Sequence, residues 1–398
     1  MASSASALAR DASAAALRPF AAGAILLAVA MSVGRFAYTP LLVVMRADAG
    51  LTVPAAGLLA SANLAGYLIG ALAAMLPAVR VRRKLAVTIS ALGVAALTIA
   101  MAGPAWVWLA ARLVTGIFSG LVFVLSVSAM LDLAKVSGSR WGLALFFSGV
   151  GSGIALVGAV VPVLARANGS HGAWVALGAA SAVAAAVAVR WLPADRASAT
   201  GVSAAEPASA GDGGFWWLAV LYGVEGAVYI IPATFLVALV AETPGLAAFA
   251  QYTWVAVGLA AAPSVAVWTA VASRAGVATA LLCACLAQGL ALIVPAFAGG
   301  AAGALVLAFG LGATFMGITA LGTSLGRSYR PARSTAAIGL LTVLYGIGQI
   351  IGPLVATQIA LVTGSYRAAM PVAASALLLP AVAFGVRLAA VRRRPRTA

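Results

Sequence analysis

The sequence predicts an all-α integral membrane protein of twelve transmembrane helices, built as two pseudo-symmetric six-helix bundles. Three observations carry this. First, the 398-residue chain is 64% hydrophobic and 8% charged. A soluble domain holds about 25% charged residues, so lipid must cover most of this surface. Second, twelve segments approach the length of about 20 mainly apolar residues that a bilayer crossing needs. Third, 19 of the 24 lysines and arginines fall on the loops and tails of one side.

The segments follow in order. Residues 1–18 are Ala/Ser-rich and polar and read as a cytoplasmic tail. The first apolar segment, near 20–45, is too long for a signal-peptide core and is expected to stay uncleaved. Five more complete the first half, near 54–79, 85–103, 105–131, 141–165 and 173–192. The second half has 215–240, 250–272, 277–297, 301–325, 336–362 and 368–390. Pro54, Pro104 and Gly299–Gly300 punctuate turns. Between the sixth and seventh segments runs "PADRASATGVSAAEPASAGDGG", residues 193–214, small, polar and flexible in composition. It divides the chain into bundles 19–192 and 215–390, followed by a basic cytoplasmic tail, 391–398.

Loop charge gives the orientation. With the N-terminus inside, only Arg46, Arg166 and Arg367 lie on outer loops, and only Arg35 and Arg112 lie inside helices. Positive residues stay on the cytoplasmic side. Both termini are therefore expected in the cytoplasm, with the chain in a bacterial plasma membrane. The net charge of +16 is spread in short clusters between apolar segments, a pattern that fits anionic lipid and argues against nucleic acid. Cys283 and Cys285 share one apolar segment and face different directions on a helix, as packing residues would. The lone histidine, His171, excludes a histidine-built metal site and is assigned no role. No GxxxxGK[ST] phosphate loop occurs. The driving force is expected to be a gradient, with no cofactor.

The polar residues inside the membrane carry the chemistry. Arginine in hydrocarbon costs at least ~2.5–3.5 kcal/mol and usually faces a bundle interior or a watery cavity. Arg35 and Arg112 both lie roughly 10–15 Å below the outer surface, at 1.5 Å per residue. Each either lines a positive cavity or is held by carbonyls and only fixes helix packing. Glu225 falls near the middle of the seventh segment. It is a candidate proton carrier, or the partner of an arginine in a lock between halves. Asn63 with Tyr67, and Tyr345 with Gln349, stand four apart on shared helix faces. Gln251 begins the eighth segment, Tyr38 stands one turn from Arg35, and Tyr229 one turn from Glu225. These seven line a cavity or bond across helices. The small residues of "RLVTGIFSG" and "GVGSG" are read as close-packing helix contacts.

The halves show weak internal similarity. Arg35, Tyr38 and Pro40 in the first segment are matched by Glu225, Tyr229 and Pro232 in the seventh. "SGVGSG" in the fifth is matched by "YGIGQIIGP" in the eleventh. Repeated halves around a polar site are a transporter architecture.

On "GRFAYTPLL", "LLASANLAGYLIGAL", "LFFSGVGSGIALVG", "YGVEGAVYIIPATFL" and "YGIGQIIGPLVA", the chain resembles the major facilitator superfamily, and within it the YbfB/YjiJ-like branch. The resemblance spans both halves. It implies two six-helix domains around a cavity that opens alternately to each side and is lined by helices 1, 4, 7 and 10. Arg35, Arg112 and Glu225 fall on three of those four. It also implies a link between Arg112 and proton movement, because "RLVTGIFSG" is similar to a superfamily motif. Two departures stand out. The loop from Gly70 to Leu85 lacks the usual acid, leaving Arg82 and Arg83 to be matched by Asp132 as a gating pair. The fifth helix lacks the usual antiporter Gly-Pro, which weakens a drug-efflux assignment.

The expected function is proton-coupled secondary active transport of a small organic anion of the carboxylate type, by alternating access, by a monomer in the bilayer. The competing reading is proton-driven export of amphipathic compounds. A membrane-embedded enzyme would need acid–base or metal groups gathered at one membrane face, and the sequence offers none.

Overall fold

The computed structural model describes residues 17–193, 212–241, 243, 245–297 and 300–393. Most of the two tails (1–18 and 391–398) and of the 193–214 linker lies outside the described residues.

The described chain is helical nearly throughout, without strands. Helix α1 runs Leu17–Asp48, α2 Val53–Ala73, α3 Arg83–Ala100 and α4 Ala105–Ser137. The next helical stretch, Arg140–Ala188, is too long for one crossing of a ~30 Å core. It divides at Gly169, whose φ of 64° and ψ of −171° leave the helix and suit a residue without Cβ. This makes α5 residues 140–168 and α6 residues 170–188. Asp48 at the end of α1 caps the new start: its Oδ2 accepts from Ser170 N at 2.6 Å and its Oδ1 from Ser170 Oγ at 2.9 Å. A carboxylate suits the positive end of a helix. The second half follows with α7 Asp212–Ala241, α8 Thr253–Ala275, α9 Val277–Phe297, α10 Gly300–Tyr329, α11 Ser334–Thr363 and α12 Ala369–Arg393. With the break at Gly169 counted, the described residues contain the twelve crossings that the sequence predicts.

Helix α1 is irregular where it matters. Residues Ala28–Phe36 form wide π turns, and Ala37 N donates to Ser32 O at 2.8 Å, five residues back. Pro40 follows directly. Proline has no N–H for the carbonyl four residues before it and crowds that carbonyl. The widened turns before Pro40 absorb this misfit. They also rotate Arg35 relative to Tyr38, and π stretches are frequent at functional sites.

Packing rests on small residues. Between lipid-embedded helices contact is driven by close van der Waals approach. Helix α2 lies against α4, where a Cβ on Gly66 would strike Leu113 O and one on Gly116 would strike Asn63 O. The two halves meet along α5 with α8 and along α2 with α11. A Cβ on Gly151 would strike the backbone of Ala262, and one on Gly258 that of Ala155. Large apolar side chains such as Val43, Leu156, Leu290 and Leu379 stay on the outside, more than half exposed, as a lipid-facing surface requires.

Gly116→Val is expected to force α2 and α4 apart and lower the thermal unfolding midpoint, since overpacking costs about 1–3 kcal/mol. Gly57→Ala, with nothing within 4 Å of the added carbon, is expected to change stability by no more than about 0.5 kcal/mol. Melting curves of the purified protein in detergent check both.

Candidate functional site

One cavity lies between the halves. It is lined from the first half by Met31, Arg35, Phe36, Tyr67, Phe123 and Val150, and from the second by Tyr222, Tyr229, Phe315, Met316, Thr319, Thr342, Tyr345 and Gln349. About 30 Å³ is open within it, room for roughly two waters.

Arg35 is the cation of this cavity. It is 7% exposed. Its guanidinium lies 5.0 Å from the Tyr67 ring centre and 5.6 Å from that of Phe36. Its Nη2 donates to Gln349 Oε1, on the other half of the molecule. Among the described residues it makes no ion pair: the pairs found are Arg83–Asp132 and Arg327–Asp132. A desolvated guanidinium carries five donors, and here the structure records one protein bond, to a neutral amide.

Arg112 has a different setting. Its Nη1 donates to Gly34 O at 3.0 Å, its Nε approaches Leu59 O at 3.5 Å, and its guanidinium sits 4.5 Å from the Tyr38 ring centre. Tyr38 donates its hydroxyl to Ala56 O at 2.9 Å, and Asn63 Nδ2 donates to Arg112 O at 3.0 Å. Arg112, Tyr38 and Asn63 thus form one cluster within the first half, off the cavity lining. Gln251 lies elsewhere again, exposed in the short turn Ala247–Tyr252 before α8. Of the residues singled out in the sequence, the cavity brings together Arg35, Tyr67, Tyr229, Tyr345 and Gln349.

Glu225 is fully buried in α7 and meets neither arginine by hydrogen bond or ion pair. Both its carboxyl oxygens face Gln288 Nε2 of α9, at 3.0 and 2.9 Å. Thr314 Oγ1 of α10 lies 2.9 Å from Gln288 Oε1 and 2.7 Å from Gly310 O, and its one proton serves one of them at a time. The chain Glu225–Gln288–Thr314 lies wholly within the second half. Gln288 escaped the sequence reading, although a lone glutamine in an apolar run was a usable signal.

The third polar site is near the chain ends of α4 and α10. Asp132 accepts from Arg83 at 3.1 Å and from Arg327 at 2.7 Å. Ser128 and Thr335 hydroxyls lie 2.8 Å apart beside it. Asp132 therefore ties the first half to the second. Arg83 makes the contact with Asp132 that the sequence suggested, Arg82 is exposed, and Arg327 is an additional partner.

A family model described as uncharacterised MFS-type transporter YbfB matches residues 27–384. The chain belongs to this family of major facilitator transporters. It is a multi-pass secondary transporter and not an enzyme. No curated protein matches by sequence. The fold is similar to that of a variant of the E. coli fucose:proton symporter FucP, with a TM-score of 0.69 at 18% identity over 93% of this chain and 98% of that one. FucP in an outward conformation gives 0.68 at 19% identity, over 93% and 99%. The human organic anion transporter MFSD10 (TETRAN) gives 0.66 at 18%, over 92% and 99%. At these identities the likeness concerns the fold.

Arg112→Met is expected to destabilise the MFS transporter by about 1–3 kcal/mol, because it removes the charge-assisted hydrogen bonds to Gly34 O and Leu59 O and the contact with Tyr38. A lowered melting midpoint in the absence of any solute checks this.

Proposed function

We propose that this transporter carries a small organic anion, coupled to protons, by rocking of bundles 19–192 and 215–390 about the central cavity. The observation that carries the reading is Arg35: a buried cation in the seam between halves, with no carboxylate partner among the described residues. A bound anion supplies the missing charge and replaces a neutral acceptor with a charge-assisted one. Both a proton symporter and an organic anion transporter share the fold, which is compatible with this reading. The aromatic walls would also receive an amphipathic compound for export; the unpaired guanidinium disfavours a cationic one.

Glu225 is the proposed proton carrier. A full charge there has no cation to offset its desolvation. A carboxyl that exchanges its proton as the halves rock moves one proton per cycle. Arg83, Asp132 and Arg327 act as a latch on the face where α1 begins and α12 ends, proposed to be cytoplasmic. Arg82 adds to the basic surface beside it. The unit is a monomer, in a bacterial plasma membrane, and needs only solute, proton and lipid.

Glu225→Gln is expected to abolish uptake driven by a pH gradient in proteoliposomes while leaving solute exchange at equal pH intact. Uptake that still follows the gradient would remove Glu225 from the coupling. Asp132→Asn is expected to loosen the latch by about 1 kcal/mol, the upper range for partly exposed pairs. Spin labels at Lys135 and Arg333 then report a larger share of long distances, by about five-fold; an unchanged distribution argues against the latch.

A further inference from the structure

We propose that the transported anion is an aromatic carboxylate, a single planar ring bearing one carboxyl group. This rests on the anion reading of Arg35 and adds the ring.

The ring comes from the wall that faces Arg35 across the seam. The Tyr229 ring lies 5.5 Å from Phe315 at an interplanar angle of 11° and 5.4 Å from Tyr345 at 23°. Tyr345 lies 4.9 Å from Tyr222. Tyr229, Phe315 and Tyr345, from α7, α10 and α11, form one offset stack, the geometry that aromatic quadrupoles prefer, and Tyr222 tilts against its end at 38°. A further flat ring against this wall makes the contact that these rings already make with one another. A saturated ring is puckered, thicker and without the quadrupole.

The carboxyl comes from the other side. Arg35 rests one face on Tyr67 and gives an edge to Gln349 Oε1. A carboxylate is the stronger acceptor for that edge. The displaced Gln349 amide can turn its N–H toward the same carboxylate. The rest of the lining is poor in free hydrogen-bonding groups apart from the tyrosine hydroxyls. Thr319 and Thr342 give their hydroxyls to Phe315 O and Ile338 O, each at 2.8 Å. A sugar would bring several hydroxyls to be met, and an unmet buried one is costly. The small cavity, about 30 Å³, favours a thin ligand as well, since a flat ring asks the halves to part least.

The test uses the full chain in lipid nanodiscs and four probes: benzoate, neutral benzamide, cyclohexanecarboxylate and L-fucose. Titration calorimetry is expected to show benzoate binding at least about ten-fold tighter than each of the others, the worth of one ring contact or one charge. Tyr229→Leu is expected to bring benzoate down to the affinity of cyclohexanecarboxylate, and Arg35→Gln to abolish benzoate binding. Melting curves verify that both variants are folded, and the wild-type ligand series stands without them. Equal binding of benzoate and cyclohexanecarboxylate overturns the aromatic proposal and leaves the anion reading in place. Equal binding of benzamide, or binding of L-fucose without benzoate, overturns both. Absence of binding by all four overturns the aromatic proposal.

Discussion

In hydrocarbon a polar group has no water to fall back on, so its partner must come from the protein or from what the protein binds. The two helix-borne arginines answer this demand differently, and the site follows from the difference. Arg112 is held by carbonyls of α1 and α2 and by the ring of Tyr38. All of these belong to the first half, so the arrangement survives any motion between halves. Arg35 bonds to Gln349 across the seam. That bond must break when the halves part. In the proposed rocking cycle Arg35 is the cation whose surroundings would change, and a charge whose surroundings change is one that a solute can reward.

The fold was legible because its determinants are one-dimensional. Apolar length gives the crossings and loop charge gives their alternation, whatever the helices pack against. Even the fifth and sixth crossings, which join into one helical stretch, separate at a glycine that the sequence places between them. The site was less legible, because membership depends on how each helix is turned about its axis. Arg35 and Tyr38 would share a face on a regular helix. The π turns at Ala28–Phe36 send Arg35 to the cavity and Tyr38 to Arg112. Phe315 and Tyr222 look like core residues in the sequence, and only the docking of α10 and α7 against the seam makes them walls.

The alternative in which Glu225 partners an arginine is not realised in this structure, for a related reason. Matching Arg35 and Glu225 as repeat partners puts them at equivalent heights in the two halves, but says nothing of direction. Glu225 turns away from the seam, toward α9 and α10, where Gln288 takes both carboxyl oxygens. A carboxyl inside one half and a cation at the seam do not cancel each other. In the proposed function the arginine is left for the solute and the carboxyl for the proton.

The proposed coupling needs a mechanical link between the two, and the close packing of α7 against α11 is suited to it. A Cβ on Gly226 would strike Tyr345 O, and one on Gly348 would strike Gly223 O, so the two helices touch along their backbones. Contacts that close transmit displacement with little slack. Glu225 is next to Gly226 on α7; Gln349 is next to Gly348 on α11. In the proposed cycle, a change in how Glu225 is held by Gln288 would be felt at the backbone beside Gln349, the residue that would yield Arg35 to the solute. No direct bond between proton site and solute site is required for each to bias the other, and by linkage the bias is mutual.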